Sequence, residues 1–168
     1  IGAVGNSKLF HVDPSGTIRY LVSNAGAPIG MALGPDGKAY VADVLGHVVR
    51  RLSWTQAASP DTFVMDKVAG VQGNPAPVPI GWNYMYSQNA PTETNLQGPY
   101  GICFDGQGQM IVTLAFANRV VRLEKGDGRL HVLAGTGGST VSGDGGPALQ
   151  AEFCLPIGVA VDGFGNVF

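Results

Sequence analysis

Charge is scarce in this sequence. Its 168 residues include ten Lys and Arg and twelve Asp and Glu, for a net charge of −2. A protein that tracks a phosphate backbone concentrates basic residues. The densest pair here is Arg50-Arg51, so nucleic acid is not an expected partner. Cysteine is nearly absent. Cys103 and Cys154 are too few for a four-thiolate metal site and are not spaced as CxxC, which leaves a disulfide or two thiols open. The three histidines, His11, His47 and His131, offer neither HxH nor HExxH spacing, which argues against a three-histidine zinc centre. No GxSxG elbow occurs. No apolar run reaches the ~18 residues of a membrane-crossing helix, so no span is expected. Glycine (26) and proline (11), by contrast, are plentiful. Together they reach about 22% of the chain against an average near 12%. Hydrophobic residues make 45%, too many for a disordered linker, and glycine does not fall at every third position, which excludes collagen. Such a chain fits many short strands joined by tight turns.

A repeat organises those strands. Pro28-Ile-Gly30-Met-Ala-Leu-Gly-Pro-Asp-Gly37, Pro99-Tyr-Gly101-Ile-Cys-Phe-Asp-Gly-Gln-Gly108 and Pro156-Ile-Gly158-Val-Ala-Val-Asp-Gly-Phe-Gly165 share one pattern. A proline stands two before an anchor glycine, and a second glycine follows seven later. This predicts a short strand, a turn that needs positive φ, and a return strand. Third strands follow at His47–Leu52 and Asn118–Leu123, at equal offsets from their anchors, and Ser7–Val12 fits the same slot. Fourth strands are expected at Thr17–Val22, from Asp61 through Val68, and at Arg129–Leu133. Four antiparallel strands per unit of ~40–45 residues is the blade of a β-propeller.

The spacing is uneven. Gly30 to Gly101 is 71 residues and Gly101 to Gly158 is 57, so both intervals carry insertions. The expected organisation is the end of one blade (1–27), a blade (28–70), an inserted inter-blade loop (71–98), a blade (99–135), a Gly-rich linker (136–155) and the start of a further blade (156–168). Both insertions join a fourth strand to the next first strand, so they should gather on one face of the disc, where loops shape binding surfaces. The fold class is thus all-β, an incomplete portion of a ring of about six blades, with further blades from the same or another chain needed to close it.

These motifs resemble the NHL-repeat family of β-propellers over nearly the whole chain. Pro156–Phe168 follows the first half of that repeat, Tyr40-Val-Ala-Asp43 and His47 its middle, and Asn118-Arg119-Val120 its end. Ser142-Gly-Asp-Gly-Gly-Pro-Ala148 is similar to an inter-blade linker of NHL proteins. Ala3 and Leu114 stand where the repeat carries Asp, and Gly46 and Val48 replace its Asn and Arg. The resemblance implies several activities. Lactonase and gluconolactonase relatives of the fold hold a divalent metal with Glu, Asn and Asp. Here no Glu-Gly-Pro or Asn-Gly motif occurs, and Glu93 and Glu152 lie in linkers. RNA-binding members use a strongly basic face, which this chain lacks. The histidine pattern of amidating lyases does not map onto His11, His47 or His131.

The candidate binding residues lie in the insertions. Trp82, Tyr84 and Tyr86, beside Pro75, Pro77 and Pro79, put three aromatics within five residues and could form a ledge for a sugar ring, a peptide or a partner, or pack the loop onto the rim. Asp144, in Gly143-Asp-Gly-Gly146, invites a calcium or anion reading, but one carboxylate is far from the six to eight oxygens calcium takes. The favoured expectation is that Asp144 ties its own backbone in a glycine turn. Asp43 is read as accepting backbone N–H bonds, and Asp105 and Asp162 as turn residues. The function these features support is a non-catalytic propeller module presenting loops to a protein, peptide or glycan. The alternative is a metal-dependent lactonase-like hydrolase completed by blades outside this chain. No cofactor and no catalytic residue is assigned, and the linker type and low charge point to a secreted, periplasmic or otherwise extracytoplasmic setting.

Overall fold

A computed structural model describes residues 1–3, 5, 7–54, 63–73 and 90–168. Strands Gly2–Ala3 (β1), Lys8–Val12 (β2) and Ile18–Val22 (β3) form a three-stranded sheet. Pro28–Leu33 (β4), Ala39–Asp43 (β5), Val48–Trp54 (β6) and Phe63–Gly70 (β7) form a four-stranded sheet. Pro99–Phe104 (β8), Met110–Leu114 (β9), Arg119–Leu123 (β10) and Leu130–Ala134 (β11) form another. Neighbouring strands run antiparallel in chain order. A Val161–Val167 bridge and reciprocal Ala160–Phe168 backbone bonds of 3.0 and 2.9 Å begin a further hairpin. No α-helix occurs among the described residues. Consecutive four-stranded meanders packed face to face are the blades of a β-propeller.

The turns between first and second strands use one chemistry. In each, the glycine N–H closes on the carbonyl three residues earlier: Gly37 on Gly34, Gly108 on Asp105 and Gly165 on Asp162, at 2.8–3.2 Å. Gly37, Gly108 and Gly165 have φ of 72°, 72° and 89°, a region that L-residues avoid. Asp105 and Asp162 each accept two further backbone N–H bonds across their turn, so the turn role expected for them holds. Asp36-Gly37 lies in the hairpin turn between β4 and β5. The loop spans Gly34–Lys38, and Asp36 also accepts the Tyr40 hydroxyl at 3.2 Å.

The anchor glycines have a different task. A Cβ on Gly30 would sit well under 3.0 Å from the Tyr100 carbonyl oxygen of the next blade, and one on Gly101, less tightly, also under 3.0 Å from the Ile157 oxygen. First strands of adjacent blades converge at these points, and glycine is there because backbone meets backbone. Thr113 links the same two strands: its Oγ accepts the Gly101 N–H at 2.7 Å and donates to the Ile157 carbonyl at 2.9 Å.

Apolar alternation fills the space between sheets. Val49 and Ala69 of one blade meet Ile102, Met110, Val112, Leu114, Val121 and Leu130 of the next. Burying each such Val, Leu or Ile contributes about 1.5–3 kcal/mol. Leu96, from the return arm of the large insertion, is 1% exposed in the same core, so that arm is wedged between blades. A second cluster of Leu9, Ala25 and Val41 joins the opening sheet to β4–β7. Strand β9 is buried along its full length, as a strand covered on both faces must be. Ile29, Met31 and Leu33 of β4 leave their face exposed at 41%, 41% and 75%.

Candidate functional site

An antiparallel meander puts two kinds of connection at the same end of every blade: the turns between second and third strands, and the linkers to the next blade. Hydrogen bonds tie them together here. Gly73 N–H donates to Gly46 O at 3.3 Å, Val44 N–H to Ala27 O at 3.1 Å, Ala115 N–H to Gly98 O at 2.9 Å and Phe116 N–H to Gln97 O at 3.2 Å. Both insertions leave and return at this end.

Three residues open the third strands in left-handed conformation: Ser7 (φ 54°), His47 (57°) and Asn118 (51°). Each faces a cost of about 1–2 kcal/mol for that conformation, and each accepts a bond from the following linker. His47 Nδ1 takes the Gly98 N–H at 3.2 Å, which puts the neutral ring's proton on Nε2. Asn118 Oδ1 takes the Leu155 N–H at 3.0 Å. Ser7 uses its carbonyl, for Ala25 N–H at 2.8 Å.

Asp43, 1% exposed, organises the first of these turns. Its Oδ1 accepts the Ala27 and Gly46 N–H groups, each at 2.9 Å, and its Oδ2 faces Arg50 at 3.4 Å. The backbone-binding role expected for Asp43 therefore holds. The pairing of Arg50 with Asp43 was not read from the sequence because Val48, directly opposite Asp43, occupies the place of the repeat's arginine. The next blade shows the converse: Arg119 stands opposite Leu114, its guanidinium buried and bonded to the Thr136 carbonyl. Burial lowers the pKa of Arg119.

The tips of these turns are apolar and open. Leu45 and Phe116 occupy equivalent repeat positions and are 70% and 49% exposed. The Phe116 ring stands edge-on to Tyr100 (6.3 Å) and to His47 (6.4 Å). Sequence reading missed this cluster. Its signal was the alignment of Val44-Leu45-Gly46-His47 with Ala115-Phe116-Ala117-Asn118, which places a large apolar residue at each tip.

The second insertion folds onto itself. Thr136 N–H reaches Ala151 O at 2.9 Å, Ser142 bridges Glu152, and the Glu152 carboxylate accepts the Thr140 hydroxyl. Asp144 is exposed at its tip. The expectation that Asp144 ties its own backbone is corrected: its carboxylate makes no hydrogen bond among the described residues, and the turn closes through Gly146 N–H to Gly143 O at 3.0 Å. Five glycines from 137 to 146 make a side-chain tie unnecessary. Trp82, Tyr84 and Tyr86 lie outside the described residues.

The other candidates stay apart. His131 pairs with Asp127 at 2.8 Å beside the β10–β11 turn, at the opposite end of the blade, and His11 is exposed on β2. Cys103, whose thiol is pushed up by burial and then by Asp105, and the exposed Cys154 are free thiols. Among the described residues, no three His, Cys, Asp or Glu side chains come together as a metal site. Asp43, the buried carboxylate, is already occupied by two N–H groups and a guanidinium. These residues do not fit the divalent ion of lactonase-like propellers.

The chain is a segment of a β-propeller, and solved structures share that fold. No protein-family model and no curated protein matches it. An auxiliary nutrient binding protein from Bacteroides thetaiotaomicron superposes with a TM-score of 0.69 at 16% identity, over 96% of this chain and 39% of that one. Its counterpart from Bacteroides ovatus gives 0.68 at 20%, over 95% and 39%. Virginiamycin B lyase from Staphylococcus aureus gives 0.56 at 13%, over 98% and 42%. The chain thus spans about two fifths of these proteins. The fold they share serves both binding and catalysis.

Proposed function

We propose that this chain is part of an NHL-type propeller that binds a protein, peptide or glycan without catalysis, at the end of the blades that carries the insertions. One observation carries the reading: Leu45 and Phe116 hold large apolar groups in solvent at equivalent turns, with Tyr100 and His47 behind Phe116, between the roots of two long loops. Exposed aromatic groups set among polar neighbours supply much of the energy of recognition surfaces. Trp82, Tyr84, Tyr86 and Asp144 belong to those loops and are proposed to extend the surface. The nutrient-binding neighbours favour a ligand-binding role and an extracytoplasmic setting. The open face of Ile29, Met31 and Leu33 favours packing against further blades.

The test is a glycan and peptide array probed with the wild-type chain, with Phe116→Ala/Leu45→Ser, and with Trp82→Ala/Tyr84→Ala/Tyr86→Ala. Both variants should lose at least tenfold in affinity for the best ligand while keeping the native circular dichroism spectrum, since anchors of this type contribute about 2 kcal/mol or more. Unchanged binding by both would reject the surface. Turnover of a sugar lactone that depends on added calcium or zinc would establish the lactonase alternative instead.

A further inference from the structure

At the opposite end of the blades lies a cavity of about 470 Å³ between β4–β7 and β8–β11. Its volume falls within the ~300–1,000 Å³ of small-molecule sites. Its walls are Tyr40, Val68, Phe104, Met110 and Leu123, with Lys125 at the mouth. Tyr40 and Phe104 meet edge to face at 4.9 Å and give the cavity a fixed aromatic wall. The turns that border it are held in place: Gly108 packs against Pro35 and Lys125 so tightly that a Cβ would come within 3.0 Å of both.

The charges at the mouth select the ligand. Glu124 is neutralised by Arg122, whose Nε donates to its Oε1 at 2.7 Å. Asp36 takes the Tyr40 hydroxyl and the Lys38 N–H, each at 3.2 Å, and has Arg51 at 4.0 Å. Both carboxylates therefore already have cationic and hydrogen-bonding partners. Lys125 differs: its ammonium donates to the Gln107 carbonyl at 2.8 Å, and it forms no ion pair among the described residues. An ammonium has three donors, so two remain for a ligand. An apolar chamber with one uncompensated cation at its entrance complements a molecule with an apolar body and a single anionic head. We propose that this cavity binds a small aromatic or aliphatic carboxylic acid, its ring or chain among Tyr40, Phe104, Met110 and Leu123 and its carboxylate on Lys125.

The experiment is isothermal titration of the full chain with 3-phenylpropionate and with its neutral isostere 3-phenylpropanamide. The acid should bind saturably and roughly three- to fivefold more tightly than the amide, the range of a solvent-exposed charge pair. Lys125→Gln should erase that difference by weakening the acid alone. Leu123→Trp and Val68→Phe each add bulk to the cavity, and whichever keeps the native circular dichroism spectrum should weaken both ligands at least tenfold. Absence of saturable heat, equal affinity for acid and amide, or undiminished binding by a folded cavity-filling variant would each overturn the proposal.

Discussion

The anchor glycines allow one repeat position to be tested three times within a single molecule. At Gly30 an added methyl group would meet the Tyr100 carbonyl oxygen well inside 3.0 Å, with the Tyr100 carbonyl carbon at 3.0 Å and the Gly101 Cα at 3.4 Å behind it. All three are backbone atoms of β8, which pairs with β9 at Pro99 and from Ile102 to Phe104 and is tied between them by the Gly101–Thr113 bond, so relief requires the two blades to separate. Gly30→Ala should therefore cost about 3 kcal/mol, the upper part of the overpacking range. At Gly101 the obstacle is Ile157 O, with Thr113 Oγ and Val159 N each at 3.1 Å. The hairpin that supplies Ile157 is held by one bridge and the reciprocal Ala160–Phe168 bonds, a shorter ladder than that of β8 and β9, and can yield, so Gly101→Ala should cost about 1–2 kcal/mol. At Gly158 nothing lies within 4 Å. In the 168-residue chain by itself the substitution there should be neutral or stabilise by about 0.4–1 kcal/mol through the unfolded chain. Urea unfolding followed by circular dichroism would give the three midpoints, with an unchanged slope showing that stability alone has moved. If Gly158→Ala destabilised the chain as much as Gly30→Ala, the glycine would be serving its own backbone, and the account of blade-to-blade approach would be wrong.

Two further outcomes follow from the polar interior. Asp43→Ala strands two buried N–H groups and the Arg50 guanidinium and should cost about 3–5 kcal/mol, whereas Asp43→Asn keeps an acceptor and should cost about half as much; equal losses in chemical denaturation would deny the carboxylate its organising part. Asp13, Asp127 and Asp162 are held below the ordinary 3.8, chiefly by side-chain hydrogen bonds from Ser15, His131 and Asn166. A carboxylate with a depressed folded pKa stabilises the fold above its unfolded pKa, and that contribution disappears as pH falls through the folded value. The urea midpoint should thus hold steady from pH 7 to 5 and drop below about pH 4, and Asp162→Asn should make the drop shallower.

Much of the fold could be read from the residues because turn chemistry and strand pattern agree. Glycines at fixed offsets mark where φ must be positive, and the valine-rich runs between them have no other way to bury both faces. β6 and β10 fall where the repeat places them. The repeat even extends to a feature no motif announces: the register shifts at Leu9/Phe10, Val49/Arg50 and Val120/Val121 recur at one position of the third strand. The site was less legible. Asp43 was identified through a motif, yet its partner Arg50 sits two residues beyond the motif's arginine position. Phe116 and Leu45 carry no motif at all, since exposure of a turn tip depends on how neighbouring linkers pack. Asp144 misled because an aspartate among glycines usually closes a turn, and here glycines suffice.

The left-handed residues at the head of each third strand also bear on how such chains can be cut and rejoined. Because His47 and Asn118 grip the linker of the blade that follows, the transplantable module is offset from the visible sheet. A chimaera joined inside a linker, upstream of Gly98 or Leu155, would carry the gripping side chain on one parent and its N–H on the other. Placing the junction in the β8–β9 turn at residues 105–108 instead keeps each grip and its target from a single parent, and such hybrids should assemble where linker-joined ones stall.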